Sequence, residues 1–133
     1  MQPLPISWNT LRSTAFHGPV LANGGSDKIG SYRMHKLLVV YNEPKDPAHF
    51  RKYYVETHLP LVSKMPGVKA SRYSFEVKPL GPGKAPYFCI FEAEFENEAA
   101  LMSGLASKEG QAVAGDVANY ASGGATMVHF AVS

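Results

Sequence analysis

The sequence predicts an α+β domain in which a four-stranded antiparallel sheet carries two helices on one face. From Met34 onward, patterns with the periods of strands and helices follow the order strand, helix, strand, strand, helix, strand. A turn joins the two middle strands, and right-handed crossovers return both helices to the same side of the sheet. With 133 residues and a formal net charge of +2, the chain is the size of one domain.

The segment before Met34 shows neither of these periods. Residues 1–33 mix Pro, Gly, Ser and Asn with single hydrophobic residues, so no face builds up that could be buried. We therefore predict a poorly ordered N-terminal extension over residues 1–33 and a folded domain over residues 34–133.

The first strand and the first helix are the most clearly marked elements. "HKLLVVYN" is an apolar run typical of a central strand buried on both faces. Asp46 then has the position of an N-cap and Pro47 that of the first helical residue. "MPG" ends the helix, and Pro60 is expected to kink its last turn. Spaced at intervals of four, four, three and four, the apolar stripe of the helix consists of Phe50, Tyr54, His58, Leu61 and Met65.

The next two segments predict a hairpin. "KASRYSFEVK" alternates, with Tyr73, Phe75 and Val77 on one face, and the turn "PLGPGKAP" leads into "YFCIFEAEFE". Antiparallel pairing is expected to set Arg72 opposite or diagonal to a glutamate. The face of the returning strand that packs on the helices is predicted to carry Tyr87, Cys89, Phe91, Ala93 and Phe95.

The last third of the chain completes the βαββαβ order. A helix is predicted to begin near Asn97 and to break around Ser107, and "ATMVHFAVS" is the last strand. The most direct arrangement of these elements is a ferredoxin-like layer with both helices on one face. The uncovered face would bear Phe88 and Ile90 beside charged residues, which predicts a homodimer formed through this sheet face.

Composition argues against several classes of partner. Thirteen basic and eleven acidic residues are scattered along the chain, which gives no charged surface for nucleic acid or an anionic membrane. No apolar run approaches the roughly 20 residues of a membrane span, and the N-terminus lacks the pattern of a signal peptide. We expect a cytoplasmic protein. The single cysteine, Cys89, is expected to be a small core residue.

Local motifs predict neither a metal nor a cofactor. The five histidines show no HExxH spacing and no His-x-His pair, and neither glycine-rich stretch has the flanking elements of a nucleotide-binding loop. His35 and His129 lie on the first and last strands, which are adjacent in the predicted sheet. The strand phase leaves open whether one of them faces the interior, and we expect solvated or interface histidines.

Three stretches carry a family resemblance. "YYVETHLPLVSKMPGVKASRY", "SKEGQAVAGDVANYASGG" and "ATMVHFAVS" together resemble the EthD-like family of dimeric α+β barrel proteins, and the likeness covers roughly residues 34–133. It implies a ferredoxin-like dimer with a pocket between sheet and helices in each subunit. The wider superfamily includes cofactor-free polyketide cyclases, muconolactone isomerases and quinone-forming monooxygenases, so the resemblance implies a fold more closely than a function.

His58 is the candidate catalytic residue, because it interrupts the apolar stripe that must pack against the sheet. Its spacing leaves two interpretations open, a hydrogen-bonded core residue or a general base, since an imidazole pKa of about 6.5 suits a base at neutral pH. Phenols around it would suit a small aromatic or ketonic ligand and could donate hydrogen bonds to an enolate. The candidate substrate-binding residues are Tyr41, Tyr53, Tyr54, Tyr73, Tyr87, Asn119 and Tyr120.

Two functions from different classes follow from these residues. The first is a cofactor-free enzyme of the cyclase, isomerase or monooxygenase type that removes a proton from a small aromatic, polyketide-like or ketonic substrate. The second is a non-catalytic protein that binds a small molecule, such as an accessory protein of a degradation pathway. A polar partner that fixes the tautomer of His58 would favour the enzyme, and an entirely apolar environment would favour the binding protein.

Overall fold

The protein contains the predicted four-stranded antiparallel sheet. Its structure is a computed structural model that describes residues 33–133, so the predicted extension lies outside the described residues except for Arg33. The sheet has the order β2-β3-β1-β4, which confirms the ferredoxin-like topology. The strands are β1, His35–Tyr41; β2, Ala70–Ser74; β3, Cys89–Phe95; and β4, Ala125–Ala131.

The helical segments follow the predicted order. Their bounds are Pro47–Tyr53 for α1, Tyr54–His58 for a π-helical segment, Leu59–Val62 for α2, Glu98–Ala106 for α3, Lys108–Asp116 for α4 and Val117–Asn119 for a 3₁₀ turn. The first three pieces keep right-handed helical backbone angles across their junctions and form one continuous rod. In the described part of the chain, no helix has both the length and the apolar character needed to cross a membrane.

Side-chain caps set the helix starts where the sequence predicts them. The Asp46 carboxylate accepts a hydrogen bond from the backbone N–H of His49 at 3.0 Å, and Pro47 is the first helical residue. Asn97 caps α3 in the same way. Ser107 has extended backbone angles, ends α3 and caps α4, which confirms the predicted break.

The π-helical segment lies directly before Pro60. The backbone N–H of Leu59 bonds to the carbonyl of Tyr54, five residues earlier, instead of the usual four. A proline has no N–H, and its ring collides with the carbonyl four residues before it in a regular α-helix. A single widened turn relieves that collision, and such turns occur often at functional sites. The predicted kink at Pro60 is therefore a π turn that contains His58.

The core lies between the sheet and the helices. Alternate residues of β1 and β3 are buried on the helix side, as expected for strands with a period of two. One row across the sheet on this side consists of Tyr73, Phe91, Val39 and Met127. From the first helical rod, Phe50 and Tyr54 are completely buried against it.

Phe88 corrects the prediction for the hairpin. It was expected on the uncovered face with Ile90, but its ring packs edge-on against Phe50 with centroids 4.9 Å apart, on the helix side. The reason is that β3 begins only at Cys89, so the alternation of the strand does not extend to the bend before it. Tyr87, in the same loop, is 38% exposed.

Within residues 33–133, no helix packs on the other face of the sheet. Lys36 bonds to Glu92 at 2.9 Å, and Arg72 bonds to Glu94 at 3.2 Å, which confirms the expected pairing of Arg72 with a glutamate. Between and beside these charges lie apolar side chains, of which Val128 and Phe130 are 46% and 44% exposed. Leu38, Val40 and Ile90 belong to the same face. We call this surface the open face.

Candidate functional site

His58 lies in the π-helical segment with its imidazole buried between the first helical rod and the sheet. Its side chain is only 3% exposed. The ring stacks on Tyr54 with centroids 5.4 Å apart and contacts Tyr120 at 4.7 Å. These contacts fix the plane of the imidazole and with it the directions in which its two nitrogens point.

Asp116 is the hydrogen-bonding partner that holds His58. The carboxylate Oδ2 lies 2.9 Å from Nδ1 of His58. The second oxygen, Oδ1, accepts hydrogen bonds from the Tyr53 hydroxyl at 2.6 Å and from the Asn119 amide at 3.0 Å. We call these four residues, His58, Asp116, Tyr53 and Asn119, the Asp116 cluster.

The hydrogen bonds of the cluster determine its protonation state. Burial acts to raise the pKa of Asp116, but hydrogen bonds from Tyr53, Asn119 and His58 outweigh it and hold that pKa below its ordinary value. Burial lowers the pKa of His58, although the Asp116 carboxylate acts in the opposite direction. At neutral pH the pair therefore consists of a carboxylate and a neutral imidazole.

This charge state assigns the tautomer of His58. A carboxylate accepts hydrogen bonds and donates none, so the proton of the neutral imidazole lies on Nδ1, the nitrogen that faces Asp116. Nε2 consequently keeps its lone pair. The arrangement of carboxylate, imidazole and free nitrogen is that of an oriented general base.

His58 lines a cavity between the helices and the sheet. The space encloses about 350 Å³ of atom-free volume, mouth included, of which about 20 Å³ can take the centre of a water molecule. Apart from His58 and Tyr41, the lining is apolar. It consists of Leu37, Val39, Val62, Met65, Phe91, Val113, Val117 and Met127.

Three buried phenols stand beside the imidazole. The hydroxyls of Tyr41 and Tyr120 share a hydrogen bond at 2.8 Å. The hydroxyl of Tyr54 is buried with no hydrogen bond of good geometry to the described residues. Burial raises the pKa of all three phenols, so they are neutral hydrogen-bond donors at physiological pH. The same effect raises the pKa of Cys89 to about 12, which removes it as a nucleophile.

The structure brings together most of the residues that the sequence predicts for the site. Tyr41 lines the cavity with His58, whereas Tyr54 and Tyr120 contact the imidazole. Tyr53 and Asn119 reach the site through Asp116 rather than by lining the cavity.

Two of the predicted tyrosines lie elsewhere. Tyr73 is 42% exposed and is not in the lining of the cavity, although it makes an edge contact with Tyr54. Tyr87 lines a separate surface pocket together with Arg51, Phe75 and Lys84. The loop position of Tyr87 follows from the late start of β3.

Asp116 is the residue that sequence reasoning missed. It could have been found from two signals. An acidic residue in the last turn of a helix opposes the helix dipole, so its presence there indicates another partner. Asp116 and Asn119 are also separated by three residues, the spacing of neighbours on one helical face.

The comparisons with known proteins agree with this fold. Residues 42–124 match the EthD domain family. A Rhodococcus erythropolis protein described as an uncharacterized 11.0 kDa protein in the thcB-thcC intergenic region is 41% identical over 96 residues. The matched region is 71% of this chain and 91% of the relative.

Solved structures show the same architecture. An ethyl tert-butyl ether D family protein from Bacillus halodurans superimposes with a TM-score of 0.67 at 27% identity, over 75% of this chain and 99% of its own. A dimeric ferredoxin-like protein from Thermobifida fusca superimposes with a TM-score of 0.59 at 13% identity, over 75% of this chain and 92% of its own. A hydroxynitrile lyase from Passiflora edulis superimposes with a TM-score of 0.61 at 10% identity, over 77% of this chain and 95% of its own.

The last two likenesses concern the fold, because their sequence identities are low. The domain match and the Rhodococcus relative both span most of the part of this chain that forms the sheet and its helices. By this evidence the chain is a member of the EthD family.

Proposed function

We propose that the protein is a cofactor-free enzyme in which His58 removes a proton from a small, largely apolar substrate that carries a carbonyl group. The observation that carries this proposal is the hydrogen bond between His58 Nδ1 and Asp116 at the wall of an apolar cavity. It leaves Nε2 as the basic nitrogen, and a base must have its lone pair free and its ring oriented.

The proposed step is abstraction of a proton α to the carbonyl. The carbon–hydrogen electron pair becomes the enolate π bond, and the proton moves to Nε2. The imidazolium that forms is stabilised by the Asp116 carboxylate 2.9 Å from Nδ1. Return of the proton from Nε2 at another carbon gives isomerisation. Attack of the enolate on a second carbonyl of the same substrate, whose oxygen takes the proton back from Nε2, gives cyclisation.

The developing oxyanion needs a hydrogen-bond donor, and Tyr41 is the candidate. It lines the cavity and shares one hydrogen bond with Tyr120. When Tyr120 donates in that bond, the Tyr41 proton is free for a ligand. A buried neutral phenol stabilises an oxyanion more strongly than water does, because the site has a low dielectric constant.

The cavity favours a compact ligand. About 20 Å³ of the cavity can take the centre of a water molecule, which is room for one or two waters. An organic substrate therefore requires side chains to move. Met65 and Met127 are part of the lining, and methionine is unbranched and adapts readily to ligands of different shape.

The second candidate is a binding protein that uses the same cavity without chemistry. The apolar lining favours it, since most of the surface available to a ligand carries no functional group. A saturated Asp116 cluster would then serve only to fasten the helices together. The two candidates differ in one property, which is whether proton transfer occurs in the cavity.

We further propose that two copies pair through the open face. Val128 and Phe130 are exposed there beside the ion pairs of Lys36 and Arg72. An apolar surface with complementary charges is suited to a second copy of itself. The Thermobifida fusca protein with this fold is described as dimeric.

Proton abstraction is tested by incubating the protein with a panel of small cyclic and aromatic ketones in D₂O. Replacement of their α-hydrogens by deuterium is followed by ¹H NMR. We expect exchange above the uncatalysed rate with the wild-type chain and none with His58→Ala. Asp116→Asn should slow exchange by about 100-fold or more, the usual contribution of an oriented base. Asp46→Asn is the matched control, because it removes a carboxylate elsewhere while asparagine still caps α1.

Two results would contradict the enzyme. One is a folded His58→Ala chain that exchanges the ketones as fast as the wild type. The other is a panel in which ligands bind, as seen by thermal shift, but none exchanges with the wild type. The second result would support the binding protein.

The lowered pKa of His58 also predicts how stability depends on pH. Below about pH 6.5 the unfolded chain protonates this imidazole before the folded chain does, so the unfolded state binds more protons and the free energy of unfolding decreases as the pH is lowered. His58→Asn keeps a donor near Asp116 but cannot titrate. We expect urea denaturation midpoints to fall less steeply between pH 7 and pH 5 in this variant. An unchanged slope would show that the pKa of His58 is not lowered by folding.

The dimer is tested by light scattering at micromolar concentration. The wild-type chain should show twice its mass of 14.5 kDa, and Phe130→Glu should reduce this to a monomer by placing a charge in the apolar surface. Leu80→Glu is the control, since Leu80 is fully exposed and lies outside the sheet. A monomeric wild type, or a dimer that Phe130→Glu leaves intact, would refute the proposed interface.

A further inference from the structure

Two histidines meet at the end of the sheet away from the hairpin loop. His35 begins β1, and His129 lies diagonally across from it on β4, on the same face. Nε2 of His35 is 2.9 Å from Nδ1 of His129, and the ring centroids are 5.1 Å apart. Solvated or interface histidines were expected at these positions, but His35 is buried on the helix side.

Glu98 completes the group from a third element. It is the first residue of α3, directly after the cap Asn97. One ligand atom each from His35, His129 and Glu98 lies within 4.8 Å of the other two. The side chain of Glu98 is exposed, so its carboxylate can rotate without disturbing the core.

The distances fit coordination of a metal ion. Two imidazole nitrogens bound at about 2.0–2.1 Å to one ion are separated by about 2.9 Å at a right angle and about 3.4 Å at a tetrahedral angle. The nitrogens of His35 and His129 are 2.9 Å apart in a hydrogen bond, so they need to separate by only about 0.5 Å to bind a tetrahedral ion. The Glu98 carboxylate lies within 4.8 Å of both nitrogens, so a rotation of its exposed side chain can bring it to ligand spacing.

The protonation state of His35 is also suitable. Burial lowers its pKa, as do His129 and Arg33, while Glu98 acts in the opposite direction. A neutral imidazole has a lone pair for a metal, whereas an imidazolium has none. The nearby positive charge of Arg33 disfavours a cation, and the Glu98 carboxylate offsets it.

We propose that His35, His129 and Glu98 bind one divalent transition-metal ion of the class that prefers imidazole, with Zn²⁺ as its representative. Two imidazoles and one carboxylate leave at least one coordination position for water or another ligand. The ion would join the start of α3 to β1 and β4. None of the three residues lines the cavity beside His58, so this proposal is independent of the proposed enzyme.

The sequence motifs could not indicate such a site. Its ligands come from three separate elements, and His35 and His129 are 94 residues apart. The expectation of no metal rested on local spacings of histidines, which detect only sites built on one element or one turn.

The test is a Zn²⁺ titration of the untagged, metal-free full-length chain by isothermal calorimetry. We expect one ion per chain with a Kd of about 10 µM or tighter, about −7 kcal/mol. His129→Ala should weaken binding by about 100-fold and Glu98→Gln by about 10-fold, in the range that loss of metal-site residues causes. His49→Ala is the matched control, because it removes an exposed histidine outside the group, and should leave binding unchanged.

Co²⁺ gives a second readout with the same proteins. Its visible absorption should report nitrogen and oxygen ligands in the wild type and should be lost in His129→Ala. Circular dichroism checks that each variant is folded. If His129→Ala does not fold, the Zn²⁺ affinity of Glu98→Gln relative to the wild type is the deciding measurement, because Glu98 is exposed. Absence of Zn²⁺ binding by the wild type, or equal binding by the wild type and Glu98→Gln, would overturn the proposal and leave a hydrogen-bonded histidine pair.

Discussion

The buried carboxylate of Asp116 is the interaction on which the arrangement of the site depends. It receives hydrogen bonds from His58, Tyr53 and Asn119, and a carboxylate at this depth is stable as an anion only with such donors. His58 and Tyr53 belong to the first helical rod, whereas Asp116 and Asn119 lie at the end of α4 and in the 3₁₀ turn. One charged group therefore joins the first helical rod to the end of α4 and at the same time orients the imidazole.

The path of the backbone supports this arrangement from both sides. Pro60 requires a widened turn just before it, and His58 lies in that turn. On the other helix, Asp116 stands in the last turn, where the helix dipole opposes a negative charge. The three donors offset that unfavourable position. A widened turn and an unfavourably placed acid at the same point indicate a site selected for more than packing.

The parts of the fold that could be predicted from the sequence are those that depend on near neighbours. The caps at Asp46 and Asn97, the break at Ser107 and the strand order depend on local spacing and on general rules of connection. Asp116 was missed because its partner His58 is 58 residues away. Phe88 was misplaced because an alternating pattern does not show where a strand begins. A bend at one residue before the strand is enough to turn that side chain to the opposite face of the sheet.

General-base chemistry at His58 requires a free Nε2 at neutral pH, and ¹⁵N NMR of the histidine-labelled chain measures this property directly. His58→Asn identifies the resonances that belong to His58. We expect a protonated Nδ1 and an unprotonated Nε2 for this residue at pH 7. An imidazolium, or a neutral ring with its proton on Nε2, would contradict the assignment of His58 as a base held by Asp116.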